Sequence, residues 1–190
     1  MLEEKDLVSA IQSGNEDAFR ILVERYKQLV FNVSFHFTQS HSEADDLAQE
    51  VFIQVWESID NFQGDSKFST WLYRVAVNKS LDFVRAQKRR QKWGRVQSLF
   101  SADGKTIASP APNSETPDAI LEHSEQMEMI WKCLQKLPEN HKTAFILNKY
   151  DNLSYKEISE IMNISLSAVE TNIHRAKEKL KKDLRNTFYF

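Results

Sequence analysis

Residues 44–59 read ADDLAQEVFIQVWESI and carry the clearest helical pattern of the chain. Apolar residues recur there every three or four positions, which places them along one face of an α-helix. The opposite face carries Asp46, Gln49, Glu50 and Glu57. Such an acidic face is either solvated or a docking surface for a basic partner, and the pattern alone leaves both interpretations open.

Further features of the first 95 residues predict helices around this stretch. Asn15 is suited to cap a long helix that follows it, and Ser42 is suited to cap the helix of residues 44–59. A third long helix is predicted from Lys67 to Arg90. Because only four glycines and four prolines occur among 190 residues, few turns are available and we predict an all-α fold.

The charged residues are segregated along the chain, although the formal net charge is only −2. Residues 85–95 hold six lysines and arginines and no acid, and a second basic cluster covers residues 175–185. Residues 96–126 are acidic and contain three of the four prolines. This composition predicts a flexible linker between two small helical domains, residues 1–95 and 127–190. One basic cluster alone is typical of a solvated helix face, but two favour a polyanionic partner.

The loop before the third helix and the helix itself combine aromatic, polar and basic residues. The loop, residues 61–66, reads NFQGDS, and Phe68, Trp71 and Tyr73 follow near the start of the helix. The polar and basic face of that helix is formed by Arg74, Asn78, Asp82, Arg85 and Arg89. Exposed aromatic residues beside a basic helix suit the stacking of unpaired bases and contacts to phosphates. The three aromatic residues are equally compatible with a place in the core.

The C-terminal domain has the pattern of a helix-turn-helix. Short helices are predicted from Met127 to Leu137 and from Glu139 to Lys149. Ser154 opens a further helix with a capping box, Asn163 ends it, and Ser165 caps the last one. Two helices joined by so short a turn are typical of a unit whose second helix enters the major groove of DNA, although a simple capped hairpin has the same pattern.

The exposed side of that last helix is predicted to read bases and to bind phosphates. Asn172 is suited to adenine, Glu170 to the amino group of cytosine, and Arg175 to phosphates. The full set of exposed positions is Ser167, Ala168, Glu170, Thr171, Asn172, His174, Arg175 and Lys177.

The sequence contains no recognisable catalytic or metal-binding motif. Its five histidines form no HExxH pair, and it has neither a glycine-rich phosphate loop nor a G-x-S-x-G turn. The single cysteine, Cys133, excludes an internal disulfide and is predicted to be a packing residue. We therefore expect a protein that is not an enzyme and needs no cofactor or small-molecule substrate. No apolar run has the length of a membrane span and no signal peptide is recognisable, so we expect a cytoplasmic protein without membrane insertion.

Two segments of the N-terminal domain resemble conserved region two of the bacterial RNA polymerase sigma factors, in the extracytoplasmic-function (ECF) group of the sigma-70 family. They are ADDLAQEVF at residues 44–52 and FQGDSKFSTWLYRVAVN at residues 62–78. In the C-terminal domain, LSYKEI at residues 153–158 and HRAK at residues 174–177 resemble region four of the same group. The resemblance extends to the order, the spacing and the types of residue.

The resemblance implies a partner for each surface of the N-terminal domain. The acidic face is implied to dock on the clamp helices of the polymerase β′ subunit. The residues implied to make this docking contact are Asp46, Gln49 and Glu50 of that face and the neighbouring Asp45. The loop of residues 61–66 is implied to capture a base flipped from the minus-ten element, with Phe62 and Asn78 as contacts. Promoter melting and minus-ten contacts are expected from Asn61, Phe62, Gly64, Asp65, Ser66, Phe68, Trp71, Arg74, Asn78 and Arg85.

For the C-terminal domain, the resemblance implies binding to the minus-thirty-five element and to the polymerase β flap. It implies that the acidic linker lies in polymerase channels built for nucleic acid. It also implies that an anti-sigma factor holds the protein in check in a stress or envelope response. Glu170 and Asn172 stand where many members of the group carry basic residues, so no base preference is transferred to this chain.

Three functions are distinguishable at this point. We expect a promoter-specificity subunit that binds core RNA polymerase and both double-stranded and melted promoter DNA. The alternative is a two-domain helix-turn-helix regulator that acts on DNA without joining polymerase. A helical nucleic-acid enzyme is a more distant alternative, because the residues of an active site are missing from the sequence.

Overall fold

The computed structural model describes residues 3–100 and 128–188, and every regular element in these two ranges is helical. The helices are α1 Glu4–Gln12, α2 Glu16–Thr38, α3 His41–Ser58, α4 Phe68–Phe100, α5 at 128–135, α6 Glu139–Lys149, α7 Tyr155–Met162 and α8 Leu166–Phe188. A 3-10 turn, Ile59–Asn61, follows α3. The chain divides into two compact units, with α1–α4 in the first and α5–α8 in the second. The predicted all-α, two-domain class is confirmed.

The core of the first unit lies where α2, α3 and α4 pack against one another. Each helix contributes fully buried side chains, among them Leu22 from α2, Leu47 from α3 and Leu72 from α4. Asn15 caps α2 as predicted, since its side chain accepts a hydrogen bond from the Ala18 amide at 2.9 Å. The apolar stripes read from the sequence therefore face a common core.

The start of α3 differs from the sequence prediction. Ser40 rather than Ser42 is the N-cap, because its backbone is extended and its hydroxyl accepts the Glu43 amide at 3.4 Å. Ser42 already lies inside the first helical turn. The prediction was wrong because the sequence offers two serines two residues apart, and only the backbone conformation decides which of them caps the helix.

Helix α1, which was not predicted from the sequence, packs on α2. It buries Leu7, Val8 and Ile11. The Tyr26 hydroxyl of α2 donates a hydrogen bond to the Glu4 carboxylate and ties the two helices together. Burial, reinforced by this hydrogen bond and by the charge of Glu4, raises the pKa of Tyr26 well above its usual range. Tyr26 therefore remains a hydrogen-bond donor throughout the physiological pH range.

Helix α4 runs to Phe100, beyond its predicted end at Arg90. The apolar periodicity fades before Arg90, but the following arginines, lysines and glutamines all favour the helical state. The side chains of residues 88–93 are exposed, so this end of α4 owes little to packing. The first five residues of the predicted linker, 96–100, are thus helical. The rest of that linker prediction, residues 101–126, lies outside the described residues.

In the second unit, α7 and α8 form the predicted helix-turn-helix. The Ser154 hydroxyl accepts the Glu157 amide at 3.3 Å, and the Glu157 carboxylate accepts the Ser154 amide at 2.9 Å. Asn163 ends α7 with a φ of 51°, and the Ser165 hydroxyl accepts the Ala168 amide at 3.2 Å at the start of α8. All three predicted caps are confirmed.

The core of the second unit includes residues of α5 and α8. Cys133 is buried there beside Leu134 and Ala176, in agreement with its predicted packing role. Helix α6 has its predicted bounds. Helix α5 ends at residue 135 rather than at Leu137, because Pro138 disfavours the helical conformation of the residue before it.

Candidate functional site

The acidic face of α3 is available to a partner. All four predicted docking residues are exposed: Asp45, Asp46, Gln49 and Glu50. Leu47 and Val51 on the opposite side of the helix are fully buried, so the core sets the direction of the acidic face. The Glu50 carboxylate lies 4.0 Å from the Lys79 ammonium group of α4. An exposed pair of this kind is worth at most about 1 kcal/mol and is readily exchanged for a pair with a partner.

Two apolar residues extend the acidic face along α3. Ile53 is 58% exposed and Trp56 is 38% exposed. The Trp56 ring packs edge-on against Phe19 at a centroid distance of 4.9 Å. A surface groove of about 410 Å³ lies beside it, lined by Glu16, Phe19, Arg20, Val23 and Trp56. The apolar spacing of α3 predicted that Trp56 is buried with the other apolar residues, which is only partly correct. It predicted no role for Ile53, although this residue departs from the spacing of the buried residues and could have been recognised as exposed by that departure.

In the loop that follows α3, the ring of Phe62 packs against two aromatic side chains of α4. The half-buried Phe62 ring lies 5.5 Å from the ring centroid of Phe68 and 5.5 Å from that of Trp71. Phe68 also contacts the Tyr26 ring, at 5.5 Å. Only 2% of Phe68 is exposed. Of the two places that the sequence left open for Phe68, an exposed stacking surface or the core, the structure shows the core, because the first turn of α4 packs on α2 and buries this residue.

The remaining predicted residues of the loop and of α4 reach the surface. Asn61, Gly64, Asp65, Arg74, Asn78 and Arg85 are exposed, whereas Ser66 and Trp71 are half-buried. The Arg85 guanidinium donates to the Asp82 carboxylate at 3.0 Å, one turn away on the same helix. The structure thus brings a half-exposed aromatic ring to the start of a long polar and basic helix face.

Two features fix the conformation of this loop. Gly64 has a φ of +80°, which L-residues rarely adopt, and open space surrounds the position that its Cβ would occupy. The Gln12 side-chain amide of α1 donates to the carbonyl oxygens of Ile59 and Phe62, each at 3.0 Å. No role for Gln12 is predictable from the sequence, because a contact across 47 to 50 residues leaves no local pattern.

The outer side of α8 forms the second candidate surface. Ser167, Glu170, Thr171, His174, Arg175 and Lys177 are exposed, whereas Ala168 and Asn172 are half-buried. An open groove of about 370 Å³ runs along this side, between α8 and Tyr155 of α7. The Thr171 hydroxyl donates to the Ser167 carbonyl at 2.8 Å, so its proton is used within the helix. The predicted exposed set is therefore present on one side of α8, with two of its members partly covered.

One histidine lies close to this surface without adding to its charge. Partial burial, together with the positive charge of Arg175, lowers the pKa of His141 below its usual value of 6.5. His141 is therefore neutral at physiological pH, and the positive charge here comes from Arg175 and Lys177.

The described residues offer no metal centre and no membrane helix. Within 3–100 and 128–188, no three or more histidine, cysteine, aspartate or glutamate side chains are grouped so as to hold a metal ion. In the same part of the chain, no helix combines the length and the apolar character needed to cross a membrane.

Comparisons with known proteins match both units. The family described as "Sigma-70 region 2" matches residues 22–90, and the family described as "Sigma-70, region 4" matches residues 127–180. The chain is 34% identical over 183 residues to the ECF RNA polymerase sigma factor SigW of Bacillus subtilis, covering 96% of this chain and 97% of that protein. It is 32% identical over 179 residues to the ECF RNA polymerase sigma-E factor of Escherichia coli, covering 94% and 93%.

Solved structures show the same fold. CnrH, in complex with the cytosolic domain of CnrY, superimposes with a TM-score of 0.67 at 24% identity, covering 96% of this chain and 97% of that one. The sigma factor RpoE of Bartonella quintana, in complex with the anti-sigma factor NepR, superimposes with a TM-score of 0.59 at 19% identity, covering 88% and 96%.

Proposed function

This chain belongs to the ECF group of the sigma-70 family, and we propose that its α3 face docks on core RNA polymerase while its loop of residues 61–66 captures an unpaired promoter base. It is a sigma factor, which binds core RNA polymerase and directs promoter-specific initiation of transcription. Sigma factors are initiation factors, and we propose that this chain likewise carries no catalytic activity and no cofactor. The observation that carries the base-capture proposal is the half-exposed Phe62 ring at the start of the polar face of α4.

The docking proposal rests on charge and shape. Asp45, Asp46, Gln49 and Glu50 form an exposed acidic patch that complements a basic helix pair, for which we propose the β′ clamp helices. Ile53 and Trp56 continue this patch with exposed apolar surface. Interfaces commonly combine an aromatic anchor with a polar rim. We therefore include both apolar residues in the docking surface.

The melting proposal assigns different tasks to the loop and to α4. Phe62 offers one face for base stacking, Asn78 offers an amide to a base edge, and the exposed Arg74 and Arg85 offer charge to phosphates. Stacking one base on an aromatic ring is worth about 1–3 kcal/mol, while each stacked step of duplex DNA is worth about 1.4 kcal/mol. One captured base therefore cannot open several base pairs. Binding to polymerase and to phosphates has to supply the rest.

The conformation of Gly64 gives a test of this loop. Gly64→Ala should destabilise the first unit by about 1–2 kcal/mol, because alanine is strained at positive φ. Gly14→Ala is the matched control, since Gly14 joins α1 to α2 with a φ of +84° in equally open surroundings. Urea unfolding should show similar losses for both variants, whereas only Gly64→Ala should slow promoter opening by holoenzyme. Equal rates of promoter opening for the Gly64→Ala and Gly14→Ala variants would contradict a role for the loop conformation.

For the C-terminal domain we propose recognition of the minus-thirty-five element by α8. Glu170, Thr171 and His174 face the open groove and are placed to meet base edges, while Arg175 and Lys177 meet phosphates. Ser167, Ala168 and Asn172 complete the proposed surface, and the β flap of polymerase is the proposed protein partner of this domain. We further propose the domain ranges 1–95 and 127–190, with the acidic segment 96–126 occupying a polymerase channel built for nucleic acid.

We also propose that an anti-sigma factor controls this protein in the cytoplasm, in a stress or envelope response. The support is the likeness in fold to a sigma factor solved with its anti-sigma factor. An anti-sigma factor that covers the acidic face of α3 would prevent the binding of polymerase, so we propose this face as its binding site.

A transcription assay tests the proposed function as a whole. Purified core polymerase with this chain should produce run-off transcripts from discrete start sites on genomic DNA fragments, whereas core polymerase alone should not. Mapping those starts also yields the promoter sequence. DNA binding by the free chain without polymerase-dependent transcripts would contradict the proposal and favour an independent regulator.

A further inference from the structure

We infer that Gln12, the last residue of α1, is a positioning residue for the base-capturing loop, an inference that rests on the proposed role of Phe62. The Gln12 amide nitrogen donates one hydrogen bond to the Ile59 carbonyl and one to the Phe62 carbonyl, each at 3.0 Å. Both of its N–H donors are thereby used. Gln12 thus spans the short segment of backbone that leads from the end of α3 to the Phe62 ring.

The two acceptors belong to a turn that is already partly fixed. The Ile59 carbonyl also accepts the Phe62 amide at 3.0 Å, which closes the 3-10 turn Ile59–Asn61. The Ile59 side chain is buried in the first unit. Gln12 adds a restraint from a different helix, and this restraint reaches one step further, to the carbonyl of Phe62 itself.

Helix α1 is a firm support for this restraint. Leu7, Val8 and Ile11 are buried, and the hydrogen bond from Tyr26 to Glu4 ties α1 to α2. The backbone of Phe62 is therefore held from α1, while its ring is held by Phe68 and Trp71 of α4. A loop ordered in advance loses less conformational entropy when it binds a base, so the restraint favours capture.

Gln12→Glu is the direct test, because it keeps the length of the side chain, removes both donors and sets carboxylate oxygens against two carbonyl oxygens. Gln28→Glu is the matched control: Gln28 lies exposed on α2, where its amide donates to the Asn32 side chain at 2.8 Å. The assay follows holoenzyme opening a promoter with 2-aminopurine in the non-template strand of the minus-ten element. Gln12→Glu should slow opening about 3- to 30-fold, from the loss of one partly buried and one exposed hydrogen bond. Gln28→Glu should leave the opening rate unchanged, and both variants should bind core polymerase normally.

A double variant shows whether Gln12 acts through Phe62. If it does, adding Gln12→Glu to Phe62→Ala should slow opening no further than Phe62→Ala alone. In the free protein, Gln12→Glu should also speed hydrogen exchange of the amides in residues 62–66 while leaving those of α3 unchanged.

The outcomes separate this inference from the proposed function. Slow opening by Phe62→Ala with normal opening by Gln12→Glu would overturn the role of Gln12 and leave base capture standing. Additive losses in the double variant would overturn it as well, since Gln12 would then act elsewhere. Normal opening by Phe62→Ala would overturn base capture by the Phe62 ring, and this inference with it. Unchanged exchange in residues 62–66 would overturn the claim that Gln12 holds the loop.

Discussion

Phe62→Ala should slow open-complex formation by holoenzyme about 5- to 150-fold, because it removes an aromatic face worth about 1–3 kcal/mol to a stacked base. Binding to core polymerase should not change, since Phe62 lies on the loop after α3 rather than on its acidic face. Stopped-flow fluorescence of a promoter labelled in the minus-ten element measures the first quantity, and titration of labelled core polymerase measures the second.

Three further variants make this result specific. Phe62→Trp keeps a stacking ring and should retain most of the activity. Phe31→Ala removes a half-buried phenylalanine from α2, where it stacks on Phe35 at 6.1 Å, and should leave opening unchanged. Asn78→Ala should slow opening less than Phe62→Ala, because it removes a hydrogen-bonding group but no ring. Normal opening by both Phe62→Ala and Asn78→Ala would eliminate the flipped-base assignment.

Asp46→Lys combined with Glu50→Lys should weaken binding to core polymerase at least about 30-fold. The two substitutions replace negative charges with positive ones on an exposed face, and like charges across an interface cost several kcal/mol. Lys79, which lies 4.0 Å from Glu50, should add to the repulsion. Fluorescence titration at two salt concentrations checks this, because the loss should shrink as added salt screens the charges.

The matched control is Asp17→Lys combined with Glu24→Lys. It makes the same change in net charge on α2, at two exposed acids that pair with Arg20 and Lys27. Exposed pairs of this kind contribute little, so its binding to polymerase should stay close to that of the parent chain. Its stability should fall by only about 1 kcal/mol, because Asp17 lies in the first turn of α2, where a negative charge is favoured. Wild-type affinity of the α3 variant, or an equal loss in the α2 control, would rule out the α3 face as the docking site.

The sequence predicted the fold best where periodicity and caps agreed. Helices α2, α7 and α8 follow from apolar spacing together with Asn15, Ser154 and Ser165. Helix α6 follows from apolar spacing and from its place directly after Pro138. Helix α1 was not predicted, although Leu7, Val8 and Ile11 have helical spacing, because no capping residue marks its start: Glu3 stands at the N-cap and makes no side-chain cap hydrogen bond. The end of α4 was placed too early because an exposed basic helix has no apolar stripe to follow.

Some parts of the candidate site could be predicted from the sequence and others could not. The acidic face of α3 was predictable from the spacing of the apolar residues, because burying these residues leaves the acidic residues on the opposite, exposed side of the helix. The roles of Phe62 and Phe68 could not be told apart, because both are aromatic residues near one helix start and only the packing on Tyr26 decides which is buried. The role of Gln12 could not be predicted from the sequence, because its hydrogen-bond partners lie 47 and 50 residues away in the chain.

Because α4 is one unbroken helix from Phe68 to Phe100, it fixes both the distance and the rotation between its two ends. Its 33 residues span about 50 Å, and each residue adds about 100° of rotation. A residue inserted among the exposed positions 88–93 would disturb little packing, yet it would turn everything beyond it by more than a quarter of a circle. A flexible loop absorbs the same insertion at little cost in free energy. The polar face near the loop of residues 61–66 and the end of α4 at Phe100 therefore keep a fixed angular relation as well as a fixed distance.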